Sequence, residues 1–228
     1  MLRDKRTFYA YRQVEALRQQ LLQDKTVLEV EDFGAGSVSG QTRQRKVASI
    51  ARHAAKSKKL AQLLFRIVHY YAPATIVELG TSLGISSAYM AIGNPHATLI
   101  TGEGSAAIAK LALRNFAALR LSNTRLVQGN FDDTLPEILQ TISVVDLAFI
   151  DGNHRLQPTL RYFEQLLAKT HNDSIIILDD IHWSHEMEQA WATIRQHPAV
   201  TFTIDLFFIG LVFFRNEFKE KQHFTLRF

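Results

Sequence analysis

Three short stretches of this chain set glycine beside acidic or amide side chains in a way that suits a nucleoside-like ligand. In the first, Ile76-Val77-Glu78-Leu79-Gly80-Thr81-Ser82-Leu83-Gly84-Ile85-Ser86-Ser87, an apolar run breaks into a glycine-containing turn before a helical segment. In an open α/β sheet such a turn lies at the carboxyl end of a strand, where ligands bind. Glycine admits a ligand close to the backbone, and helix N–H groups point at it. The Gly80 to Gly84 spacing is not the Gly-x-Gly-x-x-Gly of dinucleotide sites, and the Glu78 carboxylate would repel a pyrophosphate. A ligand with positive charge fits better, with tight-turn chemistry alone as the competing account.

The second stretch is Thr101-Gly102-Glu103-Gly104, with Glu103 25 residues after Glu78. An acid at that place accepts hydrogen bonds from both hydroxyls of a ribose. In the third, Gln128-Gly129-Asn130-Phe131-Asp132-Asp133, Asn130 or Asp132 could meet an adenine edge while Phe131 covers its face. Each of these groups taken singly could instead cap the following helix. Their recurrence at three successive strand ends favours a ligand.

The elements that must hold these groups are legible as changes of period. Phe8, Tyr11, Val14, Leu17 and Leu21 recur at helical spacing between about residues 4 and 22. Residues 31–42 read as a glycine- and serine-rich loop, and a second helical stretch runs from 42 to 71, in one or two pieces, stopped by Pro73. Thereafter short apolar runs at 75–79, 98–101, 125–128, 144–150 and 174–178 alternate with helical segments near 85–92, 105–120, 134–140 and 157–169. That alternation predicts a parallel sheet covered on both faces. Ser184 caps a further helix ending at Pro198. The runs 200–206 and 211–215 are too close for a parallel crossover and predict an antiparallel hairpin. The expected fold is a Rossmann-like, doubly wound α/β sheet of seven strands, mostly parallel with a C-terminal antiparallel hairpin. An N-terminal helical arm and lid, 1–72, precedes this 73–228 domain.

These residues together resemble the class I S-adenosylmethionine-dependent methyltransferases, over about Ile76 to Arg215. Ala148-Phe149-Ile150-Asp151-Gly152-Asn153-His154 and Ile177-Leu178-Asp179-Asp180 look like the small O-methyltransferases related to the catechol and caffeoyl-coenzyme A enzymes. The resemblance implies that Glu78, Gly80, Ser82 and Gly84 lie by the methionine moiety of S-adenosylmethionine, Glu103 by its ribose, and Asn130 and Phe131 beside the adenine. It also implies that Asp151, Asp179 and Asp180 hold a magnesium or calcium ion, a ligand set of hard oxygens suited to such cations. Asp180 stands where asparagine is common in the group, which adds negative charge. His154 falls where a base near the acceptor hydroxyl is expected, and His182 and Trp183 could line the acceptor pocket, or bond a carboxylate and anchor packing.

Composition bounds the rest. The 228 residues are 46% hydrophobic and 21% charged, as in ordinary globular domains. The longest apolar run, Leu206 to Phe214, is far shorter than the roughly 20 residues of a membrane span. The charged N-terminus is followed by no apolar signal segment, so a cytoplasmic location is expected. Without cysteine, thiolate metal sites and cysteine nucleophiles are excluded. Eight basic residues, Arg43, Arg45, Lys46, Arg52, Lys56, Lys58, Lys59 and Arg66, fall in a stretch with no acid between Asp32 and Glu78, leaving 18 basic against 22 acidic residues elsewhere. A solvated face is the plainer reading of such a run, an anionic partner the sharper one. The expected activity is methyl transfer to an oxygen, or less readily a nitrogen, of a small molecule. The alternatives are a nucleic-acid methyltransferase using segment 43–66 and a non-catalytic nucleotide-binding scaffold. Against the former, no Asn-Pro-Pro-Tyr element is present to grip a flipped base. The arm is expected to fold over the cofactor site or against a second copy in a homodimer, with residues 34–40 as a lid.

Overall fold

The computed structural model describes residues 2, 4, 6–31 and 42–228. The expected lid loop, 34–40, lies outside the described residues. An eight-stranded sheet has the order β10-β8-β9-β7-β6-β3-β4-β5. Its parallel centre is β3 (Thr75–Leu79), β4 (Thr98–Glu103), β5 (Thr124–Gln128), β6 (Leu147–Ile150) and β7 (Ile175–Asp179), with β8 (Phe202–Asp205), β9 (Ile209–Phe213) and β10 (Gln222–Thr225) on the far side. The hairpin is antiparallel as expected, β9 pairing with both β7 and β8. The strand order reverses between β3 and β6, so the connections leaving them run to opposite sides and a crevice lies outside their carboxyl ends.

Alternation along the strands divides the core. Val77, Leu79, Ala148, Ile150, Ile176 and Leu178 face Leu135, Tyr162, Phe163 and Trp191 from α6 (Phe131–Gln140), α7 (Leu156–Leu167) and α8 (His185–Gln196). Ile76, Leu147, Phe149, Ile175 and Ile177 face Leu63, Leu64, Ile67 and Val68 of α3 (Lys58–Tyr71). Helix α3 therefore covers a sheet face, although the period-based boundary assigned it to the arm. At about 1.5 to 3 kcal/mol for each large apolar side chain fully buried, these two layers dominate folding. Ser184 caps α8 by accepting from the Met187 N–H, at 3.2 Å.

Two differences from the sequence reading concern pairing. Residues 42–46, expected as the start of a helix, form β2 (Thr42–Lys46), antiparallel to β1 (Val27–Glu31) with Val30 opposite Arg43. Helix α2 (Val47–His53) follows. The eighth strand of the large sheet, β10, is exposed at all four positions. β1 alternates, with Leu28 and Val30 turned inward between exposed positions, but β2 is polar throughout and β10 is exposed throughout, so neither of those two strands carries the half-buried pattern that marks a strand in sequence.

Helix α1 (Tyr9–Gln23) buries Tyr11, Val14, Leu17 and Leu21 against Val30, Ile50, Phe65 and, from α4 (Ile85–Gly93), Ile85 and Tyr89. This packing turns β1, β2 and α2 toward the strand ends. Among the described residues no helix is long and apolar enough to cross a membrane.

Candidate active site

A cleft of about 310 Å³ opens at the carboxyl ends of the central strands. Its sheet-side wall comprises Gly80 and Ser82 after β3, Glu103, Gly104 and Ser105 at the end of β4, Asn130 and Phe131 after β5, Asp151 to His154 after β6, and Asp180 after β7. Val30, Glu31, Arg45, Ile50, His53, Ala54 and Lys56 form the opposite wall, so the N-terminal segment completes the pocket.

The turn after β3 is tightly constrained. Gly80 has φ +110°, and a Cβ there would lie 2.0 Å from the Asp151 carbonyl oxygen. The neighbouring chains are tied by the Asp151 N–H to the Leu79 carbonyl at 2.8 Å and the Gly80 N–H to the Gly102 carbonyl at 3.0 Å. Ser82, at φ 46°, donates its backbone N–H to Glu103 Oε2 at 2.8 Å, and the Ser105 N–H reaches Oε1 at 2.9 Å. These bonds aim the Glu103 carboxylate into the cleft; burial pushes its pKa up, against the lowering by the loop N–H groups. The Ser82 and Ser105 hydroxyls are buried without a protein partner. Buried polar atoms ordinarily have partners, so these two fit a ligand with hydroxyl or amine groups.

Glu78 and Gly84 do not line this cleft. Gly84, at φ +80°, caps α4, and a Cβ there would press into the Phe116 ring at 2.5 Å. Glu78 is fully buried, its carboxylate accepting from the Ser86 and Thr101 hydroxyls at 2.6 Å each and from Ser87. Strand alternation puts it on the face of Ile76, beneath the first turn of α4, where its carboxylate anchors the loop. Burial pushes its pKa up to about 7, from an ordinary 4.5, despite the three hydroxyl donors. Between those values the folded protein keeps a proton that the unfolded chain has lost, so stability is greatest below about pH 4.5 and falls as pH rises through 7. The full loss is on the order of 3 kcal/mol. Relative to the parent, Glu78→Gln should therefore gain melting temperature from pH 5 to about pH 7 and hold that gain above it. A constant difference between the two proteins across that range would contradict the assignment.

Asn130 caps α6, accepting from the Asp132 N–H at 3.1 Å, while still lining the cleft. The Phe131 ring lies against Gly102 and Gly152, where a Cβ would come within 3.3 and 2.5 Å of it. Asp132, the alternative to Asn130, is turned to Arg161 at 2.5 Å and the Tyr162 hydroxyl at 2.7 Å.

At the ends of β6 and β7, ligand atoms of Asp151, His154 and Asp179 gather within 4.8 Å of one another. Asp180 lines the cleft but stands outside that trio. His154, at φ 31° after Asn153 at φ 68°, brings Nε2 to 3.7 Å from Asp151 Oδ1. Burial lowers its pKa against the pull of the carboxylates, which keeps the ring neutral near pH 7. His182 instead bonds Asp205 at 2.9 Å and stacks on Phe207, and Trp183 is 74% exposed; neither lines the cleft.

Sequence reasoning missed Lys56. Its Nζ is 3.0 Å from Asp151 Oδ1 and hydrogen-bonded to Asp179 Oδ2. Burial disfavours its charge, but the neighbouring carboxylates outweigh that and drive its pKa upward, so it is an ammonium. Burial and the Asp179 charge push Asp151 up, and Lys56 opposes them. The donor set of carboxylates and imidazole is chemically suited to a hard divalent cation. Yet an ammonium already lies between the two aspartates, so the residues as arranged do not fit a metal ion.

Residues 77–181 match a family model described as a methyltransferase domain. No curated protein matches the sequence. Among solved structures, the chain is similar to the O-methyltransferase from Bacillus cereus in complex with S-adenosylhomocysteine, at TM-score 0.63 and 19% identity over 92% of both chains. It is also similar to the O-methyltransferase TomG from Streptomyces achromogenes, involved in tomaymycin synthesis and in complex with S-adenosylmethionine, at TM-score 0.62 and 19% identity over 71% of this chain and 82% of that one. S-adenosylhomocysteine-bound PaMTH1 from Podospora anserina gives TM-score 0.62 and 16% identity over 71% and 80%. At such identities the likeness is one of fold.

Proposed function

We propose that this chain, whose residues 77–181 match a methyltransferase-domain model, is an S-adenosylmethionine-dependent methyltransferase that transfers the methyl group to an oxygen of a small-molecule acceptor. The observation that carries the reading is a single cleft in which a cradle of Gly80, Ser82, Glu103 and Ser105 adjoins an acid–base cluster of Asp151 and His154. Glu103 accepts from the two ribose hydroxyls, its position held by the Ser82 and Ser105 N–H groups. The orphaned Ser82 and Ser105 hydroxyls supply further contacts, Gly80 allows close approach, and Asn130 and Phe131 flank the base.

S-adenosylmethionine, when bound, supplies a methyl group already activated by the sulfonium. The chain's own task is to align an acceptor oxygen, exclude water and receive a proton. His154, neutral and at the cleft wall, takes the hydroxyl proton as the oxygen forms its bond to the methyl carbon. The carbon–sulfur pair remains on sulfur, giving the thioether. The opposite wall sets apolar Val30, Ile50 and Ala54 beside polar Glu31, Arg45, His53 and Lys56, and closes the acceptor side.

The nucleic-acid alternative needs a continuous basic face over 43–66. Arg66 is buried and donates to the Tyr11 hydroxyl at 3.4 Å, and Lys56 is in the cleft, so the run is divided among different environments.

Calorimetric titration with S-adenosylhomocysteine tests the reading directly, followed by transfer of labelled methyl to a panel of hydroxylated small molecules. One-to-one binding and label on an acceptor oxygen are expected. Failure to bind the nucleoside at millimolar concentration would overturn the proposal.

A further inference from the structure

We propose that Lys56 is the built-in cation of this site: its ammonium, set between Asp151 and Asp179, takes the place that a divalent ion would fill and makes the reaction independent of one. The inference rests on the methyl-transfer reading for its catalytic part, but its placement argument is separate.

Asp151, Asp179 and Asp180 concentrate negative charge at two adjacent strand ends. Unpaired carboxylates this buried are costly, Asp179 being 1% exposed, and a cation is required to hold them charged. Lys56 meets that requirement from within the chain. Its side chain is only 12% exposed and contacts both Asp151 and Asp179. Neither contact is a rim ion pair.

The backbone explains how Lys56 arrives there. Helix α2 ends at His53, and Ser57 caps α3 by accepting from the Leu60 N–H at 3.4 Å. The four residues between the helices lie across the cleft, with Ala54 and Lys56 on its wall. Packing of Val47, Ile50 and Ala51 into the α1 cluster, and of α3 onto the sheet, holds both ends of that crossing. The ammonium is thus carried to the carboxylates by two docked helices.

An ammonium has three donors. Two engage the aspartates, and the third remains for an oxygen in the cleft that Lys56 lines. As the acceptor hydroxyl passes its proton to His154, a fixed positive charge beside the oxygen favours its developing negative charge. Lys56 also positions Asp151, whose Oδ1 is near His154 Nε2.

The deciding measurement is Mn²⁺ binding by electron paramagnetic resonance on the full chain, with and without S-adenosylhomocysteine, beside calorimetry of the nucleoside itself. The parent should bind no Mn²⁺ at the cleft up to millimolar concentration, and its turnover should be unchanged by EDTA. Lys56→Ala, or Lys56→Gln if the first does not fold, should admit one Mn²⁺ and lose about 100-fold in turnover, the scale of removing one oxyanion donor. Lys56→Arg should keep Mn²⁺ out. One Mn²⁺ bound by the parent and lost in Asp179→Asn would overturn the inference, as would a folded Lys56 variant that still excludes Mn²⁺. Absence of nucleoside binding by the parent would instead strike the methyltransferase reading, and the Mn²⁺ result would still judge Lys56.

Discussion

Gly80→Ala should abolish binding of S-adenosylhomocysteine and lower the melting temperature markedly. The residue's φ of +110° is strained for any residue with a Cβ, at a cost of about 1 to 2 kcal/mol. The added carbon would also lie 2.0 Å from the Asp151 carbonyl oxygen and 2.8 Å from its carbon. Backbone cannot swing aside as a side chain can, so β3 and β6 must separate at their carboxyl ends, adding roughly 1 to 3 kcal/mol of overpacking. That separation displaces Ser82 and Asp151 together, taking both the nucleoside cradle and the acid cluster out of register. Gly152→Ala is the informative contrast, because the obstacle there is the edge of the Phe131 ring, which can tilt. Calorimetry and thermal melting of both variants should show a far larger loss for Gly80→Ala. Nucleoside affinity in Gly80→Ala within threefold of the parent would refute the account.

Glu103→Ala should weaken S-adenosylhomocysteine by at least tenfold while leaving the fold intact. The change removes a charged acceptor for the ribose hydroxyls, each such bond being worth about 1.5 to 3 kcal/mol, or roughly 10- to 100-fold in affinity. It also releases the Ser82 and Ser105 N–H groups that the carboxylate now receives. Glu103→Gln keeps one oxygen acceptor and should lose less. Titration calorimetry reads the difference, and a folded Glu103→Ala protein with unchanged affinity would remove Glu103 from the site.

The sequence by itself determined the sheet and the turns that line the cleft, because those signals are local. Short apolar runs at 75–79, 144–150 and 174–178, a helical period between them and the closeness of the last two apolar runs together specify a mixed sheet. The same locality makes Gly80, Ser82, Glu103 and Asp151 legible, since each directly follows or ends a strand and strand ends converge. Glu78 shows where that logic stops. It occupies a strand end too, but alternation turns it under α4, and only its bonds to Ser86, Ser87 and Thr101 disclose an anchor. The β1–β2 pair is legible only in part: β1 alternates, but β2 is polar throughout and is defined by its backbone pairing with β1. Lys56 is the extreme case. In sequence it is one of eight basic residues without local distinction, and what singles it out is proximity to Asp151 and Asp179, 123 residues away in the latter case. Electrostatic pairing depends on distance in space, which the docking of α2 and α3 sets and no pattern of neighbours along the chain encodes.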